Sequence, residues 1–152
     1  MVFGFFLENF NKPSVYYVVG MTDKKQLAKE GELRFASEFI RNGWDVFLPY
    51  GEDSPIDLLI QKNGDYKRIQ IKSTLSKDGV LFGRLKSSNN WQVKKYSKNE
   101  IDYFGIYDAN TKQGYLLPIE KVIGMTEITL RIEKTKNNQQ KNVRDAKDYL
   151  YF

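Results

Sequence analysis

Residues 55–73 read PIDLLIQKNGDYKRIQIKS, two β-rich runs, 56–62 and 65–73, on either side of Asn63-Gly64. Asn-Gly favours a two-residue type I′ turn, because both central positions need positive φ, and such a turn sets the register of its hairpin. Directly opposed residues then have numbers that sum to 127, so Lys62 faces Asp65, Leu58 faces Ile69 and Asp57 faces Gln70. Lys72, two residues beyond Gln70, shares its face, while Ile69 and Ile71 turn to the other. Asp57, Gln70 and Lys72 are therefore expected to converge beside a Pro-containing loop, 50–55.

Upstream, Thr22-Asp23 reads as the cap of a helix over 24–42, with Leu27, Gly31, Phe35 and Phe39 at spacings of four and Gly43 at its end. Residues 44–49 read as a short strand. Downstream, 74–99 is turn-rich and basic; 101–108 and 115–119 are strand candidates, and Ile128, Leu130 and Ile132 alternate as another. A polar stretch, 134–141, reads as a loop, and 143–152 as a short closing helix that packs Tyr149, Leu150 and Phe152. One helix followed by several strands predicts an α/β fold, an α+β domain with a mixed sheet. Residues 1–20 are expected to be an N-terminal extension and 21–152 a single domain. Two apolar clusters before residue 20 are each too short to span a bilayer, and no basic residue precedes the first, so neither a membrane segment nor a secretory signal is expected.

The chain of 152 residues contains no cysteine and no histidine. That excludes a disulfide framework, a Cys/His zinc site and an imidazole general base, and leaves oxygen-liganded ions such as Mg²⁺ or Mn²⁺. The net charge is +5, and residues 62–98 alone carry ten basic and two acidic side chains. A field concentrated in this way suits a polyanion, because each neutralised phosphate releases counterions; a solvated lysine-rich face is the plainer alternative.

Within that stretch, residues 80–86 and 91–95 are expected to pair as a β-ribbon able to enter the major groove. Arg84, Lys86, Asn89, Asn90 and Gln92 are then candidates for reading bases, and Lys77, Lys94, Lys95 and Lys98 for holding phosphates.

The convergent residues have chemistry to match. Asp57 offers a carboxylate, Gln70 an amide oxygen and Ile71 a carbonyl, all hard ligands, and Lys72 can orient water or offset charge on a phosphorane. Hairpin geometry alone equally describes a solvated Asp–Gln pair with a surface lysine, and favours it. The motif changes that balance. Pro55-Ile56-Asp57, a hairpin and Gln70-Ile71-Lys72 resemble the PD-(D/E)XK nuclease signature, with Gln in place of the second acidic residue.

With Glu32-Leu33-Arg34-Phe35-Ala36 on the preceding helix, the chain resembles the bacterial group I intron homing endonucleases of this type, found in cyanobacteria, over most of its length from Met21. The resemblance implies a restriction-endonuclease-like core with an added DNA-binding β-hairpin. It implies Glu32, Asp57, Gln70 and Lys72 as catalytic residues, with Asp57, Gln70, Ile71 and Glu32 around Mg²⁺ or Mn²⁺. It further implies site-specific double-strand cleavage of DNA that promotes intron mobility, in the bacterial cytoplasm at the nucleoid. One chain supplies one site, so a double-strand break calls for a homo-oligomer, a dimer or a tetramer built as a dimer of dimers. For that assembly Ile101, Tyr103, Phe104, Ile106, Tyr107, Tyr149, Tyr151 and Phe152 offer apolar surface, with core packing as the alternative. A junction resolvase, a restriction-type nuclease and a catalytically silent DNA-binding module are the competing functions.

Overall fold

Asn63 and Gly64 adopt φ of +52° and +87°, the pair of positive values that a type I′ turn requires, and the hairpin closes around them. Its two strands are β2 (Leu58–Lys62) and β3 (Asp65–Thr74), once α1 (Met21–Arg41) and β1 (Asp45–Phe47) have preceded them. Leu58 faces Ile69 and Lys62 faces Asp65, the register expected from the turn. The computed structural model describes residues 21–51, 53–88, 93–133 and 144–152. The expected extension at 1–20, the polar stretch 134–141 and the candidates Asn89, Asn90 and Gln92 lie outside the described residues.

The remaining strands are β4 (Val80–Arg84), β5 (Lys86–Ser88), β6 (Val93–Lys95), β7 (Tyr103–Asp108), β8 (Gln113–Pro118) and β9 (Glu127–Arg131). Five of them form a mixed sheet in the order β1-β2-β3-β7-β8, with β3 parallel to β7 and the other pairs antiparallel. Alternation along β3 serves both faces. On one face Phe35 and Phe39 of α1 bury Leu58, Ile60, Ile69 and Ile71. On the other, Phe104, Ile106 and Leu117 meet Leu81, Ile128 and Leu130 of a second sheet, β4 with β9. Each such side chain removed from water contributes about 1.5–3 kcal/mol of transfer free energy. The result is three layers with the β2–β3 hairpin in the middle one.

Four sequence expectations are corrected. The helix runs through Thr22 and Asp23 to Met21 rather than starting after them as a cap. Residues 80–84 do not join the ribbon, because Asp78 and Gly79, both at positive φ, turn the chain back at Lys77–Val80 and direct β4 onto β9. There the inward-facing Leu81 finds Leu130, a burial the ribbon could not offer; the ribbon is only β5 paired with β6. At the C-terminus a single 3₁₀ turn, Ala146–Tyr149, replaces the expected helix, and Leu150 is exposed. Finally, the apolar residues offered as interface material are committed to the interior. Ile101, Phe104, Ile106 and Tyr107 are fully enclosed, while Tyr103, Tyr149, Tyr151 and Phe152 pack against the two cores.

The end of the chain closes the helix layer. Phe152 stands edge-on to Phe35 at 5.0 Å between centroids, Tyr151 lies 5.0 Å from Phe39, and the Gly114 N–H donates to the Phe152 carbonyl. No described helix is long and apolar enough to cross a membrane.

Candidate active site

β2 begins at Leu58, opposite Ile69, while β3 runs on to Thr74, so beyond Ile69 the β2-side edge of β3 has no strand partner. Asp57 sits at this notch. Its N–H donates at 2.9 Å to the carbonyl of Ile69, the residue already opposite Leu58, so the regular ladder ends there and Asp57 turns over the edge. Its carboxylate then folds over the edge, where Oδ2 accepts the Ile71 N–H at 2.6 Å and the Gln70 side-chain amide at 2.5 Å. Gln70 is 5% exposed, and the same Nε2 lies 3.4 Å from the Ile71 carbonyl oxygen. The polarised amide N–H group thus stands between two oxygens, those of Asp57 and Ile71, that a hard cation would also seek. Turned over, the amide would present Oε1 at that point. Asp57, Gln70 and the Ile71 carbonyl, brought together as the Asp57 carboxylate folds over the edge of β3, therefore fit a Mg²⁺ or Mn²⁺ ion that keeps several waters. Among the described residues there is no group of three or more His, Cys, Asp or Glu side chains placed to hold a metal, so such a set relies on amide and carbonyl oxygens.

Lys72 lies on the same face as Gln70. Burial lowers its pKa, against the pull of the carboxylates of Asp57 and Glu32. Burial raises the pKa of Asp57, with the negative charge of Glu32 adding to it; the Ile71 N–H, Lys72 and Lys29 act in the opposite sense. Desolvation therefore dominates at both groups and disfavours both charges. A divalent ion would reverse that preference at Asp57.

Glu32 reaches the electrostatic neighbourhood of Asp57 and Lys72 from α1, but its Oε2 is held 2.6 Å from Lys29, one turn earlier. That approach depends on the residue before it. A Cβ at Gly31 would meet Ser73 Oγ at 2.1 Å and Tyr107 Cβ at 3.1 Å, so α1 rests on β3 and β7 through bare backbone. The Ser73 hydroxyl beneath is buried and has no hydrogen-bond partner among the described residues. Glu30, the neighbouring carboxylate, is engaged elsewhere, accepting from the Tyr107 hydroxyl at 2.7 Å and pairing with Lys112 at 3.0 Å. Burial, together with that hydrogen bond, holds the Tyr107 phenol protonated.

The basic candidates are spread more widely than the sequence suggested. Lys94 and Lys95 are exposed on β6 and Lys86 is half-buried on β5, so these three stay on the ribbon. Lys77 lies in the turn before β4, and Arg84 is exposed on β4 opposite Glu127. Lys98 follows the ribbon, and its carbonyl accepts from Arg68 of β3. Arg68 also grips both carboxylate oxygens of Asp102 at 3.0 Å, which ties the ribbon's exit to the strand that carries Gln70 and Lys72.

Sequence reasoning missed four residues around the site. Gly31 and Ser73 were visible only as a helical and a strand position, and nothing in their spacing shows that they touch. Tyr96, with its ring centroid 5.7 Å from Lys72 Nζ, appeared only as one aromatic within a basic stretch. Lys29 carries a legible signal, because it lies three residues before Glu32 on a helix.

A family model described as PD-(D/E)XK endonuclease matches residues 22–152. Among curated proteins none matches the chain. A solved structure titled "The structure of a bacterial homing endonuclease: I-Ssp6803I" superposes with a TM-score of 0.66 at 22% identity, over 86% of this chain and 89% of that one. Identity at that level establishes a shared fold. The family match covers α1, the motif hairpin, both sheets and the terminal aromatics, and from it follows the assignment: the chain belongs to the PD-(D/E)XK endonuclease family.

Proposed function

We propose that the protein is a site-specific homing endonuclease that hydrolyses both strands of a long DNA target and so promotes mobility of a group I intron. The observation that carries this reading is the meeting of Asp57, Gln70 and the Ile71 carbonyl at one point beside Lys72, in the fold shared with the bacterial homing endonuclease. Asp57, Gln70 and Ile71 would hold Mg²⁺ or Mn²⁺, and Glu32 would join them on release from Lys29. The ion would supply positive charge at the scissile phosphate. Lys72 orients the attacking water and, as an ammonium, offsets charge on the phosphorane. Water oxygen forms the new bond to phosphorus, the ester P–O bond breaks, and the departing oxygen takes up a proton. Lys86, Lys94 and Lys95 on the ribbon meet the duplex.

Each chain contains one such site, so cutting both strands requires a symmetric dimer, and a long target suits a dimer of dimers. The reading is tested with purified protein, Mg²⁺ and a randomised duplex library, alongside a four-way junction. Recovery of one preferred duplex cut in both strands supports it. Cutting that follows junction structure instead of sequence assigns a resolvase.

A second reading, a silent DNA-binding module, is favoured by one observation: Gln70 places an amide, not a second carboxylate, against Asp57. Tight duplex binding without cleavage in either Mg²⁺ or Mn²⁺ would select it.

A further inference from the structure

The ribbon and the reactive centre meet at one side chain. Tyr96 follows β6 directly, is 9% exposed, and stands edge-on to Phe104 at 5.3 Å between centroids and an interplanar angle of 89°. Phe104 is the β7 partner of Gln70, so Tyr96 packs over the face that carries Gln70 and Lys72. Its ring centroid lies 5.7 Å from Lys72 Nζ and 5.9 Å from Lys94 Nζ. Ser87 of β5 is the cross-strand neighbour of Lys94. Lys94 is also paired with Glu100 at 2.7 Å, and Glu100 accepts from both the N–H and the hydroxyl of Ser97 at 3.1 Å. One buried phenol ring therefore lies against the lysine of the motif, a lysine of the ribbon and Phe104 of β7.

Resting on the nuclease reading above, we propose that Tyr96 is a positioning residue that holds the Lys72 ammonium over the reactive centre through its ring face and couples ribbon docking to cleavage. A half-buried ammonium has few ways to keep one place. The Asp57 carboxylate is engaged by Gln70 and the Ile71 N–H, and the ring quadrupole supplies a directional, non-hydrogen-bonding hold on Lys72 within the roughly 6 Å over which cation–π attraction acts. Because the same ring leans on Phe104 and lies against Lys94 of the ribbon, a shift of the ribbon moves the ring and with it Lys72. Phosphate drawing Lys94 away from Glu100 is the event that would be transmitted.

The test uses the full-length protein, Mg²⁺ and the duplex recovered from the randomised library, with the cleavage rate of bound duplex and the duplex affinity measured separately. Tyr96→Leu is expected to slow cleavage of bound duplex about tenfold while affinity changes less than about twofold. Tyr96→Phe, which keeps the ring and loses only the hydroxyl, is expected to stay within about twofold of wild type in both. Adding Tyr96→Leu to Lys72→Ala is expected to slow the residual rate less than about twofold, since the ring then has nothing to hold. Should Tyr96→Leu not fold, Tyr96→Met fills similar volume without a π face and carries the same expectations. The inference is overturned if the Leu variant cleaves bound duplex at the wild-type rate, if it loses affinity alone, if Phe is as slow as Leu, or if the two substitutions are additive. Wild-type protein and Lys72→Ala separate the levels: wild-type protein that binds the duplex without cutting it removes the nuclease reading itself, full activity in Lys72→Ala removes the role of Lys72 and with it that of Tyr96, and loss of activity in Lys72→Ala beside a fully active Tyr96→Leu removes only the role of Tyr96.

Discussion

Gln70 Nε2 lies 2.5 Å from Asp57 Oδ2, so the two side chains proposed to hold the metal are bonded directly to each other. The contact satisfies a buried amide and a largely desolvated carboxylate at once. It also means that a cation entering between them must break this bond and turn the amide over, which makes the pair a reporter on metal binding.

Asp57 itself is expected to cost stability. Burial raises its pKa in the folded chain, so the stability linked to this group is fully present at low pH and is lost as pH rises through the folded value. At neutral pH and in chelator, Asp57→Asn is therefore expected to raise the melting temperature while abolishing cleavage. Thermal melts in EDTA from pH 4 to pH 8 measure it, and a lower melting temperature for the variant at pH 8 would contradict the assignment.

Gln70→Glu restores the second acidic residue and places two carboxylates where one hydrogen bond now stands. In chelator at neutral pH their repulsion is expected to lower the melting temperature below that of wild type, and Mg²⁺ is expected to restore it, because binding to the folded state alone stabilises that state. A melt that is insensitive to Mg²⁺ would place the ion elsewhere.

A glycine inside a helix ordinarily costs about 1 kcal/mol relative to alanine, so Gly31→Ala would stabilise α1 if the helix stood free. Against Ser73 Oγ it has no room. Gly31→Ala is expected to displace Glu32 and slow cleavage about tenfold, and Ser73→Ala, which removes only an unpartnered hydroxyl, is expected to recover part of the rate in the double variant. Single-turnover rates of the two single variants and the double variant decide the matter. A faster-melting but fully active Gly31→Ala enzyme would show that the approach serves packing alone.

How much of this was legible follows from the range of each interaction. The hairpin could be written down in advance, because Asn63-Gly64 encodes its own turn and the register propagates by twos; the same arithmetic set Asp57 at Gln70, and their side chains do meet although the paired register stops at Leu58. The pairing of β4 with β9 was not, since Val80 meets Arg131 across some fifty residues and no local pattern distinguishes that partner from the ribbon. Phe104 and Ile106 looked equally fit for an interface or a core until the second sheet covered them. The site divided in the same way: strand alternation brought Asp57, Gln70 and Lys72 together, whereas Glu32 came with the family resemblance. Gly31, Ser73 and Tyr96 act through tertiary contacts that spacing does not express.

For the ribbon, Lys94→Gln and Lys95→Gln are each expected to weaken duplex binding about equally for cognate and unrelated sequences. Each lysine that neutralises a phosphate should lower the slope of log affinity against log salt by about 0.9. Filter binding between 50 and 200 mM salt, as roughly the range over which the effect develops, measures it. An unchanged slope would take that lysine off the backbone.

The central claim is that Asp57, Gln70 and Lys72 form one hydrolytic site, and the most direct measurement is cleavage of the recovered duplex by Asp57→Ala and Lys72→Ala at saturating protein with Mg²⁺. The account expects both variants to bind the duplex while cutting it at least about a hundredfold more slowly than wild type, as loss of a group stabilising charge in the transition state does. Cleavage at the wild-type rate by either variant would contradict it.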